Sequence, residues 1–319
     1  MTAAVETIAW TGDPPWHLIG KSVPGDLSPR EMQVAVGLDW SVEKVPLRYE
    51  FQEKTLDSKQ FALVRNVDGR MLDIVRSNSW NPVQNDAAFD FFDRFVRLNH
   101  MTMEVAGSLR DGKIVFVLAK MNQGFDVDAR AEDHTDGYLL FTNPHQYGQA
   151  VDIRLTPIRV VCMNTLSLAL KTASKAVVKY SHRHRFDVEA ARSVFEESLQ
   201  VLSDYRDAAR FLASRRYDTA SLKRYFETCF PYIPNMHTRS PTPGRSSANA
   251  QRALAVVEAQ PGADYAAGTW WNALNTVTYL TDHELGKSSE TRLHSAWYGK
   301  GEKRKRQALE LAFEYAKAA

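Results

Sequence analysis

The sequence predicts an α+β protein: an N-terminal mixed or antiparallel sheet with a packed helix, followed by a mainly helical C-terminal region. Residues in the first half alternate between apolar and polar and are separated by Gly-containing turns, which is typical of hairpins. From Thr156 onward the apolar residues recur at helical spacing instead. We therefore expect a sheet-rich domain over residues 1–155 and a basic helical region over residues 156–319.

The N-terminal strands follow from alternation and turn chemistry. Residues 39–51 alternate as a half-buried strand does, and residues 61–76 give two strands around an Asn-Val-Asp-Gly turn. A second hairpin is predicted over residues 101–121, with Arg110-Asp111-Gly112 as its turn. Between the hairpins we expect a helix capped near Asn85. The apolar face of this helix would hold Phe89, Phe92, Phe95 and Val96. Two further strands, at Tyr138–Thr142 and Ala150–Leu155, would complete the sheet.

The C-terminal region is expected to open with a long helix from Pro157 to about Arg185, since Thr156 can cap it and proline is tolerated at the first helical position. Asp187 is the predicted cap of a second helix that reaches about Ala213. The four prolines between residues 231 and 247 predict a long loop or hinge. Further helices are expected over residues 219–230, 248–260, 269–281 and 301–318.

Composition and motifs exclude several classes of function. Hydrophobic residues make up 44% of the chain and charged residues 24%, which is typical of a folded soluble protein, and no apolar run could cross a membrane. We expect a cytoplasmic protein without disulfides, since only Cys162 and Cys229 are present. Phosphate-loop, dinucleotide-binding and serine-hydrolase motifs are absent. His182 and His184 lie two residues apart, which is poor spacing for a pair of metal ligands, so we expect no metal site. Because the catalytic and cofactor-binding motifs are absent, we also expect no catalytic residue and no cofactor.

The net charge of +2 hides an uneven distribution. Residues 1–150 carry 15 Lys and Arg against 21 Asp and Glu, whereas residues 151–319 carry 25 against 17. A basic half favours partners rich in phosphate or an acidic surface.

The first basic cluster lies in the predicted long helix. Lys171, Lys175 and Lys179 recur four residues apart, and no acidic residue occurs from Ile153 to Phe186. Lysines at this pitch would form a stripe that could follow a phosphate backbone. A merely solvated helix face is the alternative, although such faces usually intersperse Glu among Lys. The cations that flank the stripe are Arg154, Arg159, Arg183 and Arg185.

The second basic cluster begins the last predicted helix. Basic residues there oppose the helix dipole, so their placement suggests a polyanion partner, and the neighbouring Trp297 and Tyr298 could stack on bases. The alternative is that Trp297 belongs to the core and the basic run only aids solubility. The same two alternatives hold for Trp270 and Trp271; because adjacent residues do not share one helix face, we expect at most one of them to lie fully in the core. The cluster comprises Lys300, Lys303, Arg304, Lys305 and Arg306.

Four blocks of the sequence carry a resemblance to a known family: PWHLIG near the N-terminus, TPIRVVCMNTLSLAL in the middle, GTWWNALNTVTYLTDH later, and SAWYGKGEKRKRQALELA near the end. With these blocks the chain resembles the phage/plasmid-like protein family, catalogued as domain of unknown function 932. The resemblance implies a setting in bacteriophages, prophages or plasmids and supplies no catalytic residue. At fold level the chain is also similar to phage single-strand annealing proteins, which implies a basic groove for DNA and a homo-oligomer.

Together these observations predict a non-enzymatic, sequence-tolerant nucleic-acid binder, with single-stranded DNA as the favoured partner, acting in phage or plasmid recombination or replication. Two alternatives remain open. One is an accessory protein that binds a host restriction or defence factor, and the other is an enzyme acting on nucleotides, which would need a concave pocket with convergent polar groups.

Overall fold

The computed structural model describes residues 5–12, 19–128, 133–159, 164–165, 177–233 and 246–318, without the side chains of residues 159, 164, 165 and 290. It confirms the predicted fold class. A large sheet and a smaller three-stranded sheet are formed mainly by the first half of the chain, and most helices lie in the C-terminal half. In the large sheet the strands follow one another in the order β10 (Asn164–Thr165), β9 (Ala150–Arg159), β8 (His134–Pro144), β7 (Ile114–Asp126), β6 (Met101–Leu109), β1 (Val5–Trp10) and β2 (Lys21–Ser22), and β11 (Val177–Ser181) also pairs with β9.

The N-terminal elements begin with two strands and a capped helix. In α1 the Ser28 side chain accepts from the Glu31 backbone N–H, and the Glu31 carboxylate accepts from the Ser28 backbone N–H, so both ends of this capping box are closed. The elements are β1 (Val5–Trp10), β2 (Lys21–Ser22), α1 (Pro29–Val36), β3 (Val42–Phe51), β4 (Lys54–Arg65) and β5 (Met71–Val75).

The smaller sheet has the order β3-β4-β5 and confirms the hairpin predicted around residues 66–69. Its longer hairpin, β3 with β4, turns at Gln52 and Glu53, which both have positive φ. Sequence reasoning missed this turn, because neither residue is the Asn or Gly that usually adopts such φ values.

The next segment forms the middle of the large sheet. The predicted helix is confirmed as α2 (Asn85–Arg97), and Phe89, Phe92 and Phe95 are buried as expected. The second hairpin is confirmed as β6 (Met101–Leu109) with β7 (Ile114–Asp126), and Arg110, Asp111 and Gly112 all have positive φ in its turn. The last two predicted strands are β8 (His134–Pro144) and β9 (Ala150–Arg159).

The prediction of a long helix from Pro157 to Arg185 is wrong for the described residues of that segment, which are 157–159, 164–165 and 177–185. Residues 157–159 belong to β9, β10 (Asn164–Thr165) pairs with the end of β9, and β11 (Val177–Ser181) pairs with its beginning. The apolar and β-branched residues of β9 and β11 pair across the sheet, as Val178 does with Ile153. This tertiary pairing overrides the helical spacing read from the sequence.

The helices after residue 187 follow the predictions more closely. Asp187 caps α3 as expected, and the Ala190 backbone N–H donates to its carboxylate. The helix at residues 289–298 was not predicted; its capping box pairs Ser288 with Thr291, and threonine is not the usual Glu or Gln at that position. The helices are α3 (Val188–Arg192), α4 (Val194–Ser214), α5 (Thr219–Cys229), α6 (Ala248–Val256), α7 (Trp270–Tyr279), α8 (Ser289–Tyr298) and α9 (Lys300–Ala318).

The chain folds into two compact units, each assembled from three separate segments. Unit 1 comprises Met1–Gln123, Gly137–Leu155 and Ser174–Val201. Unit 2 comprises Gly124–Asp136, Thr156–Ala173 and Leu202–Ala319. The division at residues 155 and 156 that we expect from sequence stays a prediction.

Each unit has an aromatic core. In unit 1, Phe91 packs against Phe141 with ring centroids 5.5 Å apart, and Phe95 packs against Phe195 at 4.9 Å. In unit 2, Trp270 stacks on Tyr315 at 5.0 Å. Trp271 is fully buried as well, so the expectation that only one of the adjacent tryptophans lies in the core is wrong. Helix α7 is buried on both faces, and its polar side chains are accommodated by hydrogen bonds to backbone carbonyls.

Candidate nucleic-acid interface

A run of exposed cations follows strand β11 in unit 1. Lys179 lies in β11, and Arg183 and Arg185 lie in the turn between β11 and α3; all three side chains are exposed. None of the three forms an ion pair with another residue that the structure describes. Lys179 sits opposite Asp152 in the strand register, but Asp152 is paired with Arg154 instead. These three residues, which we call the β11 cluster, are free to meet an anionic ligand.

The β11 cluster is held in place by His182, whose side chain is 1% exposed. Its ring stacks on Trp80 with centroids 4.4 Å apart, and its Nδ1 lies 3.3 Å from the Val83 backbone N–H, which donates to it. The His182 carbonyl also accepts from the Asn81 backbone N–H at 2.8 Å. Burial lowers the pKa of His182 to about 4, so the ring is neutral near pH 7. Because His182 is fixed, the adjacent arginines are held at the surface.

A buried polar network supports the loop that contacts His182. The Asn143 amide donates to the Val83 carbonyl at 2.8 Å, and the Asn85 amide donates to the carbonyls of Leu38 and Trp40. His145 Nε2 lies 2.9 Å from the Asn85 amide oxygen; since that oxygen can only accept, His145 is the donor. These hydrogen bonds tie the loop to its neighbours, although the buried Asn143 Oδ1, His145 Nδ1 and His182 Nε2 have no hydrogen-bond partner among the described residues. The surface around Arg183 and Arg185 therefore rests on ordered structure.

The remaining residues of the first predicted cluster do not add free charge. Arg154 forms an ion pair with Asp152, and its side chain is 27% exposed. The side chain of Arg159 and the whole of Lys171 and Lys175 lie outside the described residues. The stripe of three lysines on one helix is therefore not what the described part of the chain shows, because Lys179 lies on a strand.

The second predicted cluster, at the start of α9 in unit 2, separates into three kinds of residue. Lys300 and Lys303 are exposed and form no ion pair with any described residue. Arg306 is paired with Glu302 one turn earlier, at 3.3 Å. Arg304 is largely buried: its Nε donates to the Cys229 carbonyl at the end of α5, and its guanidinium lies over the Phe230 ring. Only Lys300 and Lys303 thus offer free charge here.

Lys305 is a structural residue and not a surface cation. Its side chain is 2% exposed, and its Nζ lies 2.9 Å from a carboxylate oxygen of Asp282, which is itself fully buried. Asp282 belongs to a π-helical turn, Leu280–Glu284, that follows α7. Because the ammonium is enclosed and neutralised, we leave Lys305 out of the interface.

The two aromatic residues upstream differ in exposure. Trp297 is 4% exposed, so its ring faces are covered by protein and cannot stack on a base. Tyr298 is half-buried, with its ring 5.6 Å from that of His294. Of this pair, only Tyr298 retains a surface that a ligand could touch.

An open cleft of about 460 Å³ lies beside the β11 cluster and was not anticipated from the sequence. Its lining includes Arg185 and Phe186 on one side and Asp86 and Asp90 of α2 on the other. The sequence feature that could have predicted a site here is the spacing of the two aspartates. Like charges four residues apart destabilise a helix, so their presence suggests a role in binding. Burial, followed by repulsion from Asp86 and Asp93, raises the pKa of Asp90.

Among the described residues, no group of three or more His, Cys, Asp or Glu side chains is placed to hold a metal ion. Every helix in that part of the chain is too short or too polar to span a bilayer.

Comparison with known proteins gives one match. Neither the curated proteins nor the solved structures contain a match to this chain. A family model matches residues 74–297, which is more than two thirds of the chain and includes α2, the β11 cluster and α7. The protein therefore belongs to the family described as Domain of unknown function (DUF932).

Proposed function

We propose that this protein is a sequence-tolerant binder of single-stranded nucleic acid, DNA in preference, and acts in phage or plasmid recombination or replication. The observation that carries the proposal is the β11 cluster. Three exposed cations occur within seven residues, none of them is neutralised by a described acid, and a buried histidine fixes the turn that bears two of them.

The dimensions of the β11 cluster suit a strand. Six peptide steps separate Lys179 from Arg185, and the turn closed by the His184 backbone N–H on the Ser181 carbonyl keeps their Cα atoms well within the extended limit of about 21 Å. Flexible cationic side chains over that span can contact a few consecutive phosphates. Unit 2 carries exposed cations of its own, Lys300 and Lys303, and the half-buried Tyr298 just before them in sequence could stack on a base.

The biological setting rests on resemblance. Four sequence blocks resemble the phage/plasmid-like protein family, and the order of sheet and basic helices resembles phage annealing proteins. Strand annealing by a homo-oligomer is the specific activity that we propose for this setting.

Salt dependence tests the proposal. Fluorescence anisotropy with a labelled 20-residue oligothymidylate would give the affinity at several salt concentrations. The variant Lys179→Gln/Arg183→Gln/Arg185→Gln removes up to three phosphate contacts, so the slope of log affinity against log salt should become shallower by about 2.

A matched control removes the same charge elsewhere. Arg94, Arg97 and Arg206 are exposed but already paired with carboxylates, so Arg94→Gln/Arg97→Gln/Arg206→Gln should change the slope by less than about 1. Equal slopes for the wild type and the β11-cluster variant would show that these cations do not contact the strand. No measurable affinity of the wild type would reject nucleic-acid binding itself.

A further inference from the structure

The cleft beside the β11 cluster carries two opposite charges that do not neutralise each other. Arg185 and Asp90 both line it, yet neither forms an ion pair with the other or with another described residue. Asp86, the second carboxylate, is already occupied by hydrogen bonds from Arg30 and Gln33. An unpaired carboxylate and an unpaired guanidinium in one cleft suit a ligand that has both hydrogen-bond donors and an anionic group.

Apolar and aromatic side chains form part of the cleft wall, alternating with polar ones such as Asn81, Gln84 and His184. Phe186 is half-exposed there, and its far side is fixed by edge contacts to Phe141 at 5.6 Å and Tyr180 at 5.1 Å. Pro82 and Val83 line the same cleft. A volume of about 460 Å³ falls within the usual range for a small-molecule site. A flat aromatic ligand of nucleotide size therefore fits these walls.

The elements around the cleft are held together independently of any ligand. The Arg192 side chain of α3 donates to the carbonyls of Asp90 at 2.8 Å and Phe91 at 3.3 Å, which fixes α3 against α2. His182 fixes the turn that carries Arg185, as described above. Asp90 and Arg185 are thus held on opposite, preorganised elements.

We propose that this cleft receives one nucleotide of the bound strand and prefers a base that carries an exocyclic amino group. The amino group of cytosine, adenine or guanine donates to the Asp90 carboxylate, and Arg185 holds the phosphate. Thymine presents a carbonyl oxygen where cytosine and adenine present an amino group, so it would repel the carboxylate. This preference rests on the proposed strand binding and adds a modest base selectivity to it.

The preference is tested with two labelled 20-residue oligonucleotides at pH 7.5, oligodeoxycytidylate and oligothymidylate, by fluorescence anisotropy. Because the Asp90 contact discriminates an amino group from a carbonyl oxygen at one nucleotide, the wild type should bind the cytidylate about 10-fold more tightly. Asp90→Ala should bring the ratio of the two affinities close to 1. The affinity for oligothymidylate should not fall in this variant, because the β11 cluster is intact.

Asp93→Ala is the matched control. It removes a carboxylate from the same helix, but Asp93 is paired with Arg97 and does not line the cleft, so the ratio should stay near its wild-type value. A wild-type ratio near 1 with tight binding of both oligonucleotides would overturn the cleft assignment and leave strand binding intact. A preference that survives Asp90→Ala would also overturn it, whereas the loss of all wild-type binding would reject the proposed function.

Discussion

Removing Lys305 should destabilise unit 2 strongly, because its partner Asp282 would remain charged in the core. The Nζ of Lys305 lies 2.9 Å from the Asp282 carboxylate, and the two side chains are 2% and 0% exposed. Coulomb's law at this separation, with an effective dielectric constant of about 20, gives an attraction of about 6 kcal/mol. Desolvation of the two ions offsets much of this, and breaking such a pair costs about 3–5 kcal/mol.

The experiment is a double-mutant cycle of Lys305→Met, Asp282→Leu and the double variant, measured by urea unfolding. Tryptophan fluorescence follows the unfolding of both units, since Trp270, Trp271 and Trp297 lie in unit 2 and Trp40 and Trp80 lie buried in unit 1. We expect each single variant to lose about 3–5 kcal/mol and the double variant to recover most of that loss, because no unpaired ion remains.

The matched control for this cycle is Arg306→Gln, one residue further along α9. Arg306 is 48% exposed and pairs with Glu302 at 3.3 Å, so its loss should cost no more than about 1 kcal/mol. A cost for Lys305→Met as small as that of Arg306→Gln would refute the burial of this pair. It would also restore Lys305 as a candidate for ligand contact.

Two further predictions concern unit 1. Burial, and then nearby His182, lowers the pKa of His145 to about 3, whereas the unfolded chain takes up this proton near pH 6.5. The free energy of unfolding should therefore fall as the pH drops below 6.5, and His145 should contribute about 1.4 kcal/mol per pH unit to this fall. In His145→Gln, the free energy of unfolding measured in urea should depend on pH less steeply by that amount. An unchanged dependence on pH would contradict the burial of a neutral His145. Gly107→Ala should destabilise the sheet, because a Cβ there would lie 2.4 Å from the Thr7 carbonyl oxygen, whereas at Gly25 it would meet nothing within 4 Å. Thermal unfolding should show a marked loss for Gly107→Ala and little change for Gly25→Ala, and equal midpoints would count against the close approach of β1 and β6.

The sequence predicted those elements whose signals are local. The hairpin at residues 110–112 was found from an Asp-Gly turn, and α2 from the helical spacing of its phenylalanines. The segment around β11 was misread because its apolar residues also have helical spacing. Only pairing with β9, more than 20 residues away in sequence, decides that Val177 and Val178 are extended.

The sequence could predict which basic residues form the candidate site, but it could not predict which of them are exposed to solvent. The exposed cations Arg183 and Arg185 were found from the missing countercharges alone. Lys305 looked identical to its neighbours, because the acid that buries it lies 23 residues earlier and meets it only through packing of α9 against the turn after α7. Asp90 was overlooked for a similar reason, since only the folded turn brings Arg185 to the cleft that Asp90 lines.

The interleaving of the two units decides how the protein can be dissected. A stop codon after Leu155 would deprive unit 1 of β11, α3 and the start of α4, while stranding Gly124–Asp136 without the rest of unit 2. Neither half produced by a single cut is a complete folding unit, so binding regions are better mapped by point substitution in the intact chain. An isolated C-terminal fragment that failed to bind DNA would report on its own unfolding and not on the loss of a site.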